Sequence, residues 1–163
     1  MVKYYNSMVV FEEIPNEITL AINITNCPCQ CPGCHSKFLW EDIGTELTIG
    51  ELKCLIDKND GITAVCFMGG DSSPLEINKL AGELLNDPKY DNIKVCWYSG
   101  RERLPEAIDL KLFNYIKLGR YDDKFGPINK ETTNQRFYSV DTDFEGNYIL
   151  SDKTYMFWKK TAK

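Results

Sequence analysis

With one histidine in 163 residues, the chain has too few imidazoles for a multi-histidine metal centre or a histidine-based catalytic network. Long apolar runs are missing too. No stretch reaches the roughly 20 residues that a membrane-spanning helix needs, and the opening Met1-Val2-Lys3-Tyr4-Tyr5-Asn6 lacks the apolar core of a secretory signal. Lysine and arginine form no run before the last few residues, and the formal net charge is −5, so there is no basic footprint for nucleic acid. Internal repeats and low-complexity segments are absent. Together these absences point to a cytoplasmic protein whose partners include neither nucleic acid nor a membrane. A hydrophobic share of 43% suffices for a single domain over residues 1–163 with one core.

Cysteine, by contrast, is plentiful. There are seven, and four of them crowd into Cys27-Pro28-Cys29-Gln30-Cys31-Pro32-Gly33-Cys34. An odd count, the clustering and the missing signal favour thiolate chemistry in a reducing compartment over a disulfide framework. Cys54, Cys66 and Cys96 stand singly in apolar stretches and read as small buried hydrophobes. Cys27, Cys31 and Cys34 have the spacing C-x-x-x-C-x-x-C, with Pro32 and Gly33 helping the backbone turn so that three sulfurs can face one inorganic centre. Three thiolates suit a soft centre with one open position, whereas a closed structural zinc site wants a fourth ligand, which Cys29 or His35 would supply.

Glu17 to Ile24 alternates with period two, with Ile18, Leu20, Ile22 and Ile24 on one face, and predicts a strand running straight into the cysteine loop. Thr48-Ile49-Gly50-Glu51 is a capping box that predicts a helix over 49–58, stopped by Asn59-Asp60-Gly61. The apolar run Ile62 to Met68 predicts a strand, Gly69-Gly70-Asp71 a loop, and Ser73-Pro74-Leu75-Glu76 the capped start of another helix. Ile93 to Tyr98 predicts a third strand ending in Ser99-Gly100, Leu104 to Ile108 a short helix, and Leu112 to Leu118 a fourth strand. Alternating strands and helices predict a parallel sheet, whose ligands gather at the carboxyl ends of the strands. Downstream, Phe137 to Val140 and Tyr148 to Leu150 flank Glu145-Gly146-Asn147 as a hairpin. The aromatic tail Tyr155-Met156-Phe157-Trp158-Lys159-Lys160 is expected to pack against the body.

The cysteine triplet, Cys31-Pro32-Gly33-Cys34 in particular, resembles the radical S-adenosylmethionine superfamily when taken with Gly69-Gly70-Asp71. Trp40 and Thr133-Asn134-Gln135-Arg136 narrow the likeness to the activating proteins of anaerobic ribonucleoside-triphosphate reductase, over roughly Glu17 to Tyr138. Asp71 matches that branch, whereas Leu118 stands where the branch has a carboxylate. The resemblance implies an α/β fold, a small partial (open) β/α barrel of mostly parallel strands. It also implies a [4Fe-4S] cluster on Cys27, Cys31 and Cys34, with Cys29 a bystander, and S-adenosyl-L-methionine on the open iron. Cofactor contacts would come from Gly69, Gly70, Asp71 and Ser99, with His35 packing on the cofactor or covering the cluster.

The implied activity is reductive cleavage of S-adenosylmethionine and generation of a glycyl radical on a protein partner. That partner is the large subunit of anaerobic ribonucleoside-triphosphate reductase, or another glycyl-radical enzyme, with a flavodoxin or ferredoxin as electron donor. Asn134-Gln135-Arg136 is assigned either to the partner or to bracing its own loop. A reading from a different class, a non-catalytic zinc-binding interaction module, stands beside these.

Overall fold

The structure is a computed structural model and describes residues 1–158. Eight strands form one sheet: β1 (Lys3–Val10), β2 (Thr19–Ile24), β3 (Thr45–Glu46), β4 (Ala64–Met68), β5 (Lys94–Tyr98), β6 (Tyr115–Leu118), β7 (Arg136–Thr142) and β8 (Tyr148–Asp152). Their order across the sheet is β3-β1-β2-β4-β5-β6-β7-β8. Among the described residues two helices, α1 (Ile49–Asp57) and α2 (Pro74–Leu85), complete the regular elements apart from short 3-10 turns.

This corrects the expected open β/α barrel of mostly parallel strands. The sheet is mixed: three pairings, β2–β4, β4–β5 and β5–β6, are parallel, and the four outer ones are antiparallel. Two short helices among the described residues leave most of the ordered structure in the sheet. Two local causes account for the difference. The connection from Phe11 to Ile18 is too short for a crossover helix, so β1 folds back antiparallel on β2. The expected helix at Leu104 to Ile108 does not form; Pro105 lacks an amide donor and biases its predecessor away from helical angles, and β6 is reached through loops and a 3-10 turn (Leu110–Leu112). At the far edge Gly146, with φ 82°, closes the expected hairpin of β7 and β8.

Period-two alternation sends the strands' side chains to two unlike faces. Leu20, Ile22 and Ile24 of β2, Val65 and Phe67 of β4, and Val95 and Trp97 of β5 face the helices and pack against Leu52, Ile56, Ile77, Leu80 and Leu84. Ala64, Cys66, Cys96 and Tyr98 point the other way and are covered by coil, with Ile14 from the β1–β2 connection and Phe137 among the buried residues there. Cys66 and Cys96 are buried as expected, while Cys54 is half-buried on α1. In the tail, Thr154–Phe157 form a 3-10 turn that sets Phe157 edge-on against Phe137 at 5.0 Å; Lys159 and Lys160 lie outside the described residues. No helix among the described residues is long and apolar enough to cross a membrane.

The helix starts differ in how far their signals are realised. Thr48 caps α1 by accepting the Glu51 amide at 3.1 Å. The Glu51 carboxylate does not complete the capping box and instead accepts from the Tyr4 hydroxyl. Ser73 makes no side-chain cap; Pro74 at the first helical position sets the start of α2.

Burial, the hydrogen bond to Glu51 and the charge of Glu51 push Tyr4 from 10.0 up to about 12. The fold favours the neutral phenol, so this contribution is whole below pH 10.0 and is lost as pH rises toward about 12. Tyrosinate absorbance should therefore lose one late-ionising group in Tyr4→Phe. The alkaline fall in stability over that window should shrink in the same variant.

Candidate functional site at the carboxyl rim of the parallel strands

The four parallel strands end on one rim, and their following loops lie side by side there. After β2 the chain leaves on a closed excursion. Asn26 and Cys27 donate their amides to the carbonyls of Glu41 and Leu39, each at 2.9 Å, so the cysteine loop is pinned at its base. Within it Asn26 (φ 60°) and Gln30 (φ 43°) take left-handed angles that cost non-glycine residues energy. Pro32 and Gly33 (φ 77°) occupy the centre of a tight turn closed by the Cys34 amide on the Cys31 carbonyl at 3.1 Å, the pattern of a type II turn. Gly33 has no room for a side chain, since a Cβ there would meet the Asp123 carboxylate at 2.4 Å.

The four thiols of the loop have unlike surroundings. Cys31 is buried, and burial raises its thiol above the ordinary range against the pull of the Tyr121 amide. The Cys34 sulfur accepts the Ser36 amide at 3.4 Å. Cys27 lies against Cys29, and this neighbour pulls Cys27 down to about 6, while the same closeness and burial push Cys29 up. As the side chains stand, no three His, Cys, Asp or Glu among the described residues are gathered around a single ion position.

The loop after β4 is dictated by packing. Gly69 (φ 110°) and Gly70 (φ 91°) both need glycine, and a Cβ on Gly70 would lie 2.5 Å from the Ile77 side chain on α2. The Gly69 amide donates to the Tyr98 carbonyl at 2.9 Å, and its carbonyl accepts the Trp97 indole at 2.7 Å. Asp71, 1% exposed, follows. Its carboxylate accepts the Ser99 hydroxyl, the Gly100 amide at 2.9 Å and the Cys29 thiol at 3.7 Å, with the Arg101 guanidinium 3.6 Å away. Arg101 also donates to the Asp71 carbonyl at 2.7 Å. A buried carboxylate is tolerated only with such a set of donors.

The expected site residues are thus distributed as follows. Cys27, Cys31 and Cys34 share the loop after β2, Gly69, Gly70 and Asp71 the loop after β4, and Ser99 the loop after β5. Asp71 and Ser99 are bonded to each other, which makes them a brace between two strand ends. His35 is exposed, its ring 5.9 Å from that of Tyr121. Trp40 is half-buried with the Lys37 ammonium 5.8 Å from its ring. Asn134 and Gln135 donate to the carbonyls of Arg120 and Gly119 at 3.0 and 3.3 Å, which is the loop-bracing alternative. A cavity of about 380 Å³ opens beside Pro32, lined among others by Glu102, Arg120, Tyr121, Asp123 and Asn134.

Trp97, Arg101 and Cys29 carry contacts that sequence reasoning missed. Arg101 had a signal, a cation directly after Ser99-Gly100 at a strand end. So did Cys29, the fourth thiol in the loop, and Trp97, which directly precedes Tyr98-Ser99-Gly100 at the end of a strand. No family model, no curated protein and no solved structure matches the chain.

Proposed function

We propose that the chain is an iron–sulfur activase that cleaves S-adenosylmethionine and generates a glycyl radical on anaerobic ribonucleoside-triphosphate reductase. The reading rests on the site and its residues, since the mixed sheet itself carries no reaction. Its main support is the convergence of a pinned three-thiol loop with the Gly69-Gly70-Asp71 and Ser99-Gly100 loops at one rim.

The donor chemistry fits the group. Cys27, Cys31 and Cys34 form a soft, all-sulfur set with no imidazole or carboxylate among them, and three thiolates leave one iron of a [4Fe-4S] cluster without a protein ligand. When bound, the reduced cluster supplies the electron that cleaves S-adenosylmethionine to methionine and a radical able to take hydrogen from a glycyl Cα. The chain's own residues bind, orient and exclude water. The base of the loop fixes where the three sulfurs emerge, and the Asp71–Ser99–Arg101 brace holds the neighbouring loops in register with it. The left-handed Gly69 and Gly70 keep the chain narrow where a cofactor would approach. Partners under this reading are the reductase large subunit and a flavodoxin or ferredoxin that delivers the electron.

The test is electron paramagnetic resonance of anaerobically reconstituted, dithionite-reduced protein with and without S-adenosylmethionine. A [4Fe-4S]⁺ signal that shifts on adding the cofactor is expected. Colourless protein holding one zinc, with no response to the cofactor, would overturn the reading in favour of the interaction module.

A further inference from the structure

Cys29 stands outside the three-thiol spacing, yet it touches both the loop after β4 and the loop after β5. Its thiol is within hydrogen-bond reach of Asp71 Oδ2 at 3.7 Å, and Asp71 is itself almost wholly buried. On the other side Gly100 leaves a space shaped to the sulfur: a Cβ at that residue would lie 2.6 Å from Cys29 Sγ. Gly100 has no left-handed φ, and a side chain there could be fitted only by displacing the Cys29 sulfur. The two contacts seat one side chain of the cysteine loop between the ends of β4 and β5.

We propose that Cys29 is a positioning residue: its thiol, held by the Asp71 carboxylate against Gly100, clamps the cysteine loop onto the β4 and β5 ends. The clamp fixes the direction in which Cys27, Cys31 and Cys34 face the Gly69-Gly70 loop. This rests on the proposed function for its purpose, though the clamp itself is a property of the metal-free chain. A hydrogen bond to a charged, buried carboxylate contributes more than one to a neutral partner, and losing the donor leaves Asp71 short of one partner. Serine retains a donor at that position, whereas alanine does not.

Hydrogen–deuterium exchange on the metal-free protein is the first arm. Cys29→Ala should speed amide exchange across residues 27–34 about tenfold, and Cys29→Ser should restore protection. Gly100→Ala should give the same loosening with the thiol intact, because the new methyl expels the sulfur. The effects of Cys29→Ala and Gly100→Ala should be less than additive, since both break one contact. Unchanged exchange in Cys29→Ala, or full additivity with Gly100→Ala, overturns the clamp.

The second arm uses reconstituted protein. Cys29→Ala should assemble a cluster with normal iron content, but the cofactor-induced change in its resonance signal should need about tenfold more S-adenosylmethionine, with Cys29→Ser close to wild type. Failure of both Cys29 variants to assemble a cluster that the wild type assembles would make Cys29 a ligand and overturn the positioning role. If the wild type itself assembles none, the proposed function falls, and the exchange arm still decides the clamp.

Discussion

Cys31→Ala is expected to reduce S-adenosylmethionine cleavage to the background of the unloaded protein, and Cys27→Ala and Cys34→Ala to do the same. With only two of the three sulfurs the loop cannot hold the cluster that the proposed chemistry requires. The effect should appear first as lost iron and lost brown colour, and then as lost 5′-deoxyadenosine in a single-turnover assay. Folding should survive. Cys31 is buried but small, and it lies outside both hydrophobic core clusters, so its truncation should cost on the order of 1 kcal/mol. Circular dichroism of the metal-free variant should therefore match wild type. Cleavage persisting in purified Cys31→Ala would end its assignment as a ligand.

The largest stability effect is expected at Trp97. Its ring is fully buried on the helix-facing side of β5, and its indole N–H donates to the Gly69 carbonyl at 2.7 Å. Trp97→Ala removes the buried ring and leaves that carbonyl without its donor. Large-to-small core truncations of this kind cost about 3–5 kcal/mol. In a chain of this length that corresponds to a melting temperature lower by roughly 10 °C. Trp97→Phe retains most of the apolar burial and loses the hydrogen bond, so its cost should be nearer 1 kcal/mol. The phenylalanine variant carries the informative readout. Exchange at Gly69 and Gly70 should rise in it while the remaining core amides stay protected, because the indole anchors the glycine loop. A uniform rise across the core would show that Trp97 contributes bulk alone.

Several elements were legible because their signals are local. The alternation in Thr19 to Ile24 and the apolar run ending at Met68 became β2 and β4, and Thr48 capped α1 where its hydroxyl and Glu51 are three residues apart. Gly146 turned the hairpin as a glycine at such a turn does. β1 was not legible. Its Tyr4-Tyr5-Asn6-Ser7 interrupts any clean alternation, and a bulge between Tyr4 and Asn6 shifts the register. The overall topology failed for a related reason. Strand and helix signals alternate along part of the chain, but strand direction depends on the length and path of each connection, and the coil from Arg101 to Asn114 took the place expected of a helix.

The candidate site divides in the same way. Its residue types and spacing are properties of the chain itself: three thiols at C-x-x-x-C-x-x-C, a Pro-Gly turn between two of them, two glycines after a strand and a single histidine, too few for a multi-histidine centre. These needed no partner to be read, because turn formation and ligand softness are decided within a few residues. Which way those residues face was decided only by tertiary structure. Asp71 meets Ser99, Gly100, Arg101 and Cys29 because parallel strands β4 and β5 end beside the loop of β2, at sequence separations of 28 to 42 residues for the bonded pairs. A buried carboxylate takes whatever donors the sheet sets around it, and only the packed sheet determines which donors those are.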